Sequence, residues 1–235
     1  MGTVHQAAPG AISAKYGRDA TDKEALEEQC RCCFDVIIAD LAKTSHPSPN
    51  FPPGNFPLFV TWDMVDARNP ARGANLRGCI GNLSAMDLHQ GVVKYAWVSA
   101  FQDRRFSPIS AAEVPSLQCS VTLLHNYEKA SHCYDWQVGV HGMIIDFSIP
   151  GGDAYSATYL PSVCSDQGWT QEECIESLVR KAGYRGAFTA AVRDGVALTR
   201  YQGCKATVSF QQYRQQRSGV GGWNPSWDQT LSVRA

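Results

Sequence analysis

Apolar residues recur every three or four positions through Leu26, Cys30, Cys33, Ile37 and Leu41, with Phe34 and Ile38 beside them. That spacing lays one apolar stripe along a helix. Thr21 and Glu24 stand at capping-box spacing just ahead of it, so the helix is expected to open at Thr21. The stripe puts Cys30 and Cys33 on the buried face, where a free thiol packs as a small hydrophobe. Ser45 to Asn55 is rich in proline and serine and reads as a loop. Phe56 to Trp62 reads as a strand, Asp63 to Asn75 as a polar connector, and Leu76 to Gly81 as a short strand and turn. Ser84 and Asp87 repeat the capping spacing, which predicts a second helix after Ser84 with Leu88, Val92, Tyr95 and Ser99 turned inward. The charged run Asp103 to Pro108 ends that helix.

Cys119 to His125 alternates in the manner of a half-buried strand. Val138–Val140 and Met143–Ile149 read as strands separated by His141-Gly142. Pro150 to Asp153 then turns the chain into Ala154–Tyr159, a hairpin. Thr170 with Glu173 caps a third helix whose stripe is Ile175, Leu178, Val179 and Ala182, and Gly183 supplies the left-handed stop. Cys204 to Tyr213 is the last predicted strand. Capped helices with hairpin strands between them do not make a regular βαβ series, so the expectation is an α+β fold with a mainly antiparallel sheet packed with helices.

Composition narrows the function classes. The chain has 235 residues, 44% of them hydrophobic, enough for one large domain or two small ones. A formal charge of −1 excludes a polybasic nucleic-acid or membrane protein held by bulk charge. Among the nine cysteines the nearest cluster is Cys30, Cys32 and Cys33, and no histidine close to it completes a zinc site. Free thiols in a reducing compartment are expected, with no metal and no cofactor. Met1 to Ala20 lacks the apolar segment of a secretory signal, and no apolar run reaches the roughly 18 residues that span a bilayer. The expected location is cytoplasmic or nuclear, not secreted, with no membrane association.

The unusual stretch is Leu76-Arg77-Gly78-Cys79-Ile80-Gly81-Asn82. Gly78 and Gly81 bracket Cys79 and let a backbone or ligand approach closely. Residues two apart in an extended segment share a face, so Arg77 would lie beside Cys79 and favour its thiolate. A helix starting after Ser84 would add unpaired amides and a positive dipole end nearby. The pattern suits an anion or nucleophile site, with Cys79 as thiolate and Arg77 gripping a carboxylate or phosphate. It equally suits a buried space-filling cysteine with glycines at a bulge. His141 reads either as a proton-moving partner for Cys79 or as a solvated turn histidine. Asp103 and Arg105 read as a ligand-lining ion pair or a surface pair, and His89 as solvent-facing. Arg200 and Lys205 could meet phosphate, but two cations do not make a nucleic-acid surface.

LRGCIG at Leu76 to Gly81 resembles the signature of the AMMECR domain family. Further blocks resemble that family in the same order: Pro57 to Trp62, Ser84 to Leu88, Ser99-Ala100 with Asp103, Arg105 and Phe106, and Val138 to Gly142. Ala157 to Pro161, Lys181 to Gly183 and Thr199 to Tyr201 continue it. The resemblance covers roughly residues 21–213, departing at Asn82, Ser107 and Ser162. It implies a larger and a smaller lobe, the smaller around 71–115, with a groove between them. Residues 1–20 and 214–235 would be tails contributing little, unless Trp223 or Trp227 docks. Taken with the residue readings above, the expected ligand-binding residues are Arg77, Gly78, Gly81, Asp103 and Arg105, with Cys79 and His141 as the candidate catalytic pair. The family has no established activity. Relatives encoded beside Memo-like and radical S-adenosylmethionine proteins suggest nucleotide or RNA base modification, an argument from association. Two expectations follow: an enzyme or substrate-handling component with a small anionic ligand, or a non-catalytic adaptor that docks a protein partner. Nucleic acid is the weaker partner on charge.

Overall fold

Helix α1 (Lys23–Ala42) starts at Asp22, whose side chain accepts from the Glu24 amide at 2.9 Å. The computed structural model describes residues 22–65, 73–149, 152–219 and 226–232, so the expected cap Thr21, the tail 1–20 and Trp223 lie outside the described residues. The chain continues as β1 (Asn55–Val65), β2 (Ala74–Asp87), α2 (Leu88–Phe101), a 3-10 turn (Val114–Ser116) and β3 (Leu117–Lys129). Then come β4 (Gly142–Ser148), β5 (Ala154–Tyr159), α3 (Pro161–Asp166), α4 (Gln171–Lys181), α5 (Ala190–Asp194), β6 (Ala197–Ser209), α6 (Phe210–Gly219) and α7 (Ser226–Ser232). The strands hydrogen-bond in the order β2-β1-β3-β6-β4-β5, and β1–β2, β1–β3, β4–β5 and β4–β6 are antiparallel. The fold is α+β with a mainly antiparallel sheet, as the patterning predicts.

The described chain divides into a middle unit, Leu124–Gly203, and a terminal unit formed by residues 22–123 with Cys204 onward. Both boundaries fall inside strands, β3 and β6. The smaller lobe expected around 71–115 is not a body of its own: residues 73–115 belong to the terminal unit. The cause is register, since β2 pairs with β1 from Ala74↔Val65 to Asp87↔Asn55. In the middle unit, Trp136, Met143, Ile145, Ile175, Leu178 and Val179 form the core. The expectation of free thiols throughout is corrected there, because Cys164 and Cys174 are joined as a disulfide with Cα atoms 6.0 Å apart. The other seven cysteines form no disulfide, and Cys30 and Cys33 are fully buried as expected. Val138–Val140 is a turn, not a strand, with Gly139 at φ +77° and both valines exposed.

In the terminal unit α1 is buried on nearly every side, including Gln29, Arg31 and Asp35. Its apolar stripe meets the sheet, where Phe34 packs edge-on to Trp62 with ring centres 5.1 Å apart. Its polar side is covered by the C-terminal segment. This corrects the reading of 214–235 as a tail contributing little. The strand predicted through Tyr213 stops at Ser209, because Ser209 and Gln212 cap a helix: the Ser209 amide donates to Gln212 Oε1 at 2.8 Å and the Gln212 amide to Ser209 Oγ at 3.3 Å. Phe210 and Tyr213, three apart on α6, then bury against Phe34. The Tyr213 hydroxyl donates to Asp35 Oδ1 at 2.8 Å, and Arg217 pairs with both Asp35 and Glu28. Trp227 of α7 is buried too, its indole donating to Thr44 at 3.5 Å.

Removing one partner of a buried ion pair strands the other charge. Arg217→Ala is expected to lower stability by about 3 kcal/mol. Thermal denaturation should show that as a drop in Tm of about 6–12 °C for a chain of this size.

Candidate functional site

Strand alternation sorts the residues around Cys79. Gly78 lies opposite Trp62 and Ile80 opposite Val60, on the face that packs against α1 and α2. Cys79 lies opposite Thr61, which in turn faces Ser120 of β3, so the thiol sits on the polar face of the sheet. The two glycines answer to the backbone. A Cβ at Gly78 would overlap the Ser99 carbonyl oxygen of α2, and one at Gly81 the Leu58 carbonyl oxygen of β1. Close packing of main chain, not ligand approach, requires both.

The expected helix start after Ser84 is corrected. β2 stays extended to Asp87, and Asp87 caps α2 by accepting from the Gln90 amide at 2.9 Å. At about 3.3 Å per strand residue, the amino end of α2 is roughly 25 Å along the strand from Cys79. The part of α2 that packs on the neighbouring Gly78 is the Ser99 carbonyl, near the other end. The positive end of α2 is therefore too far away to favour a thiolate at Cys79.

Arg77 is held inside the unit. Its Nε donates to Glu113 Oε1 at 2.7 Å and Nη2 to Glu113 Oε2 at 3.2 Å, while Nη1 donates to the Ser107 carbonyl at 2.8 Å and Nη2 to the Pro108 carbonyl at 3.3 Å. Only 11% of its side chain is exposed. Burial by itself would raise the Glu113 pKa, but the bonds from Arg77 and Ser110 outweigh it and hold the carboxyl low.

Asp103 and Arg105 act on the strand itself. The Cys79 amide donates to Asp103 Oδ2 at 2.9 Å, and Arg105 Nη2 donates to the Cys79 carbonyl at 3.1 Å. Arg105 also grips both Asp103 oxygens, through Nε at 3.0 Å and Nη2 at 2.7 Å. That grip, with the Cys79 and Arg105 amides, holds Asp103 far below the usual carboxylate range despite burial. Arg105 remains 56% exposed. Phe106 lies under both guanidinium groups, 5.4 Å from Arg105 and 5.9 Å from Arg77.

Cys79 is half-buried, and the Thr61 hydroxyl donates to its Sγ at 3.1 Å. Burial pushes its thiol pKa up. Thr61 and Arg105 pull it down, Asp103 and Asp63 push it up, and the net direction is upward. His141 belongs to the middle unit, where its Nδ1 accepts from the Gln137 amide at 3.0 Å. Burial and then Arg200 lower its pKa, so the ring is neutral at pH 7. Arg200 is bound to Glu128 and Asp135, and His89 is half-buried with Nε2 at 2.8 Å from the Phe51 carbonyl.

The structure thus brings Arg77, Gly78, Cys79, Asp103 and Arg105 into one cluster, with Gly81 two residues further along the edge. Thr61 and Glu113 complete it and escaped sequence reading. Strand pairing would have found Thr61 once the register was known, while Glu113 carries no local signal. Two cavities in the terminal unit, of about 450 and 110 Å³, are lined by other residues, among them Trp97 and Asp40 in the first and Glu28 and Asp35 in the second. Among the described residues no group of three His, Cys, Asp or Glu could hold a metal ion, and no helix is long and apolar enough to cross a membrane.

The α+β fold and the strapped Arg-Gly-Cys strand define one class of protein. The chain matches the AMMECR1 family over residues 26–206 and belongs to it. An uncharacterised protein of Arabidopsis thaliana is 47% identical over 190 residues, 80% of this chain and 87% of its own. One from Schizosaccharomyces pombe is 36% identical over 191 residues, covering 80% and 94%. The crystal structure of an uncharacterised protein from Pyrococcus horikoshii shares the fold, with a TM-score of 0.66 and 25% identity over 80% of this chain and 93% of that one.

Arg77→Ala should destabilise by roughly 1–3 kcal/mol in thermal unfolding, because it strands Glu113 and two carbonyls, and Arg77→Lys should restore only part of that, because an ammonium lacks the fork that reaches all three. Arg105→Ala, half in water, should cost about 1 kcal/mol or less. A depressed carboxylate pKa contributes stability that is present above the unfolded value and lost as pH falls through the folded one. Stability measured by denaturant titration from pH 6 downward should therefore fall less steeply below about pH 4 in Asp103→Asn than in the parent.

Proposed function

We propose that this chain is a non-catalytic binding module, in which the Arg-Gly-Cys segment builds a rigid sheet edge and Arg105 is the charge that edge presents. One observation carries the reading: Arg77, the guanidinium that sequence places to activate Cys79, is spent on Glu113 and on the Ser107 and Pro108 carbonyls. Cys79 then rests as a neutral thiol. Its role is to hold the strand, taking a hydrogen bond from Thr61 across the β1–β2 pair. The adaptor reading fits this arrangement better than nucleophilic chemistry centred on Cys79, which needs a thiolate that the cluster disfavours.

Alkylation of the native protein with iodoacetamide from pH 6 to 10, read by peptide mapping, tests this. Cys79 should react more slowly than a free model thiol at pH 7, with its midpoint above the ordinary cysteine pKa of about 8.5. Faster reaction than the free thiol would sink the binding-module reading and restore a nucleophile.

A further inference from the structure

Helices α1 and α2 pack together in the terminal unit, and toward the end of α1 they part around the cavity of about 450 Å³. That volume falls within the roughly 300–1,000 Å³ of small-molecule sites. Positions three and four apart on a helix share a face. Val36, Ala39 and Asp40 therefore line one wall, and Lys94, Trp97 and Val98 the other. Most of that surface is apolar, and the charges on it are few. Asp40 sits in the last turn of α1, which contains no basic residue. A carboxylate there faces the negative end of the helix dipole, an unfavourable place for it. Its Oδ1 takes the Trp97 indole N–H at 3.0 Å. Among the described residues Asp40 forms no ion pair, not even with Lys43 at the helix cap.

Lys94 on the facing wall is exposed, with Nζ 5.4 Å from the Tyr95 ring centre, and it too forms no ion pair among the described residues. The remaining polar groups of the lining are tied locally. The Thr44 hydroxyl accepts from the Trp227 indole at 3.5 Å, and His46 Nδ1 lies 2.9 Å from the Pro47 carbonyl. One cavity thus carries a carboxylate and an ammonium on opposite walls, too far apart to neutralise each other, with apolar surface between them. A molecule with both charges and an apolar body is complementary to it. We infer that the cleft between α1 and α2 binds a free α-amino acid with a large apolar side chain. Its ammonium meets Asp40, its carboxylate meets Lys94, and its side chain lies against Trp97 and the valines. The ligand ammonium offsets the ill-placed Asp40 charge at the helix end, and the paired charges give selectivity over singly charged molecules. This site is separate from the Arg-Gly-Cys edge and does not depend on the state of Cys79.

Four probes make the test: L-phenylalanine, phenylalanine amide, 3-phenylpropanoate and N-acetylphenylalanine amide, which carry both charges, the ammonium alone, the carboxylate alone and neither. Each is titrated into the full chain while the Trp97 indole N–H, assigned with Trp97→Phe, is followed by NMR. L-Phenylalanine should shift that resonance saturably with a Kd of about 1 mM, and each singly charged analogue should bind about tenfold more weakly. Asp40→Asn should weaken phenylalanine and its amide about tenfold and leave 3-phenylpropanoate unchanged. Lys94→Gln should weaken phenylalanine and 3-phenylpropanoate and leave the amide unchanged. Both residues are exposed, so both variants should keep the parent Tm. Equal binding of all four probes would reduce the cleft to an apolar patch and overturn the inference, as would the lack of any saturable shift. Variants that weaken every probe alike would show the two charges acting through local structure alone, which overturns it as well. A Trp97 shift that grows with protein concentration before any probe is added would assign the cleft to a second copy of the chain, with the same consequence.

Discussion

A strand at the rim of a sheet has one row of N–H and C=O groups with no neighbour, and leaving them bare invites uncontrolled pairing. In this protein the rim strand is β2, and the loop after α2 returns to meet it. Asp103 and Arg105 are two residues apart, so one short turn delivers an acceptor and a donor to the same residue, Cys79. Their mutual grip fixes the geometry of both. Arg77, from the same strand, reaches back into that loop and ties it at Ser107, Pro108 and Glu113. Strand and loop therefore hold each other, and Gly78 lets α2 close down on the strand with only backbone between them.

The electrostatics of Cys79 follow from the same arrangement. Asp103 is needed as an acceptor for the strand amide, and its negative charge opposes a thiolate next to it. The carbonyl end of α2 is the end that approaches, for the reason that Gly78 packs against Ser99. Burial is the largest upward influence on the thiol. Thr61 and Arg105 pull the other way without reversing the sum. A geometry selected for holding an edge strand is poorly suited to ionising the cysteine within it.

A second constraint sits at the centre of the terminal unit. Helix α1 is enclosed by the sheet on one side and by the C-terminal helices on the other, so its charged residues Arg31 and Asp35 cannot reach bulk water. Arg217, Tyr213 and Gln216 from α6 satisfy them. The C-terminal helices thus complete a core begun by the first described helix, which is why the last part of β6, from Cys204, and α6 stay with α1 while the middle unit builds a separate core around Trp136 and α4.

Much of this was legible in the residues. The period of Leu26 to Leu41 gave α1, the alternation of Cys119 to His125 gave the heart of β3, and Thr170 with Glu173 gave a capping box that the structure contains. The LRGCIG segment marked the cluster and its family. Other features depend on partners far along the chain. Ser84 and Asp87 have capping spacing, but β1 claims residues as far as Asp87 for its ladder, and only then can α2 begin. Tyr213 looks like the end of a strand until Phe34 and Asp35, some 178 residues earlier, give it a helical seat. Arg77 beside Cys79 reads as an activator in one dimension, and Glu113, 36 residues on, makes it a tie. Local spacing determined which residues could form each element. Which charges face each other, and hence whether a thiol is activated or merely held, was decided by tertiary packing, because Coulomb and hydrogen-bond partners are set by distance in space.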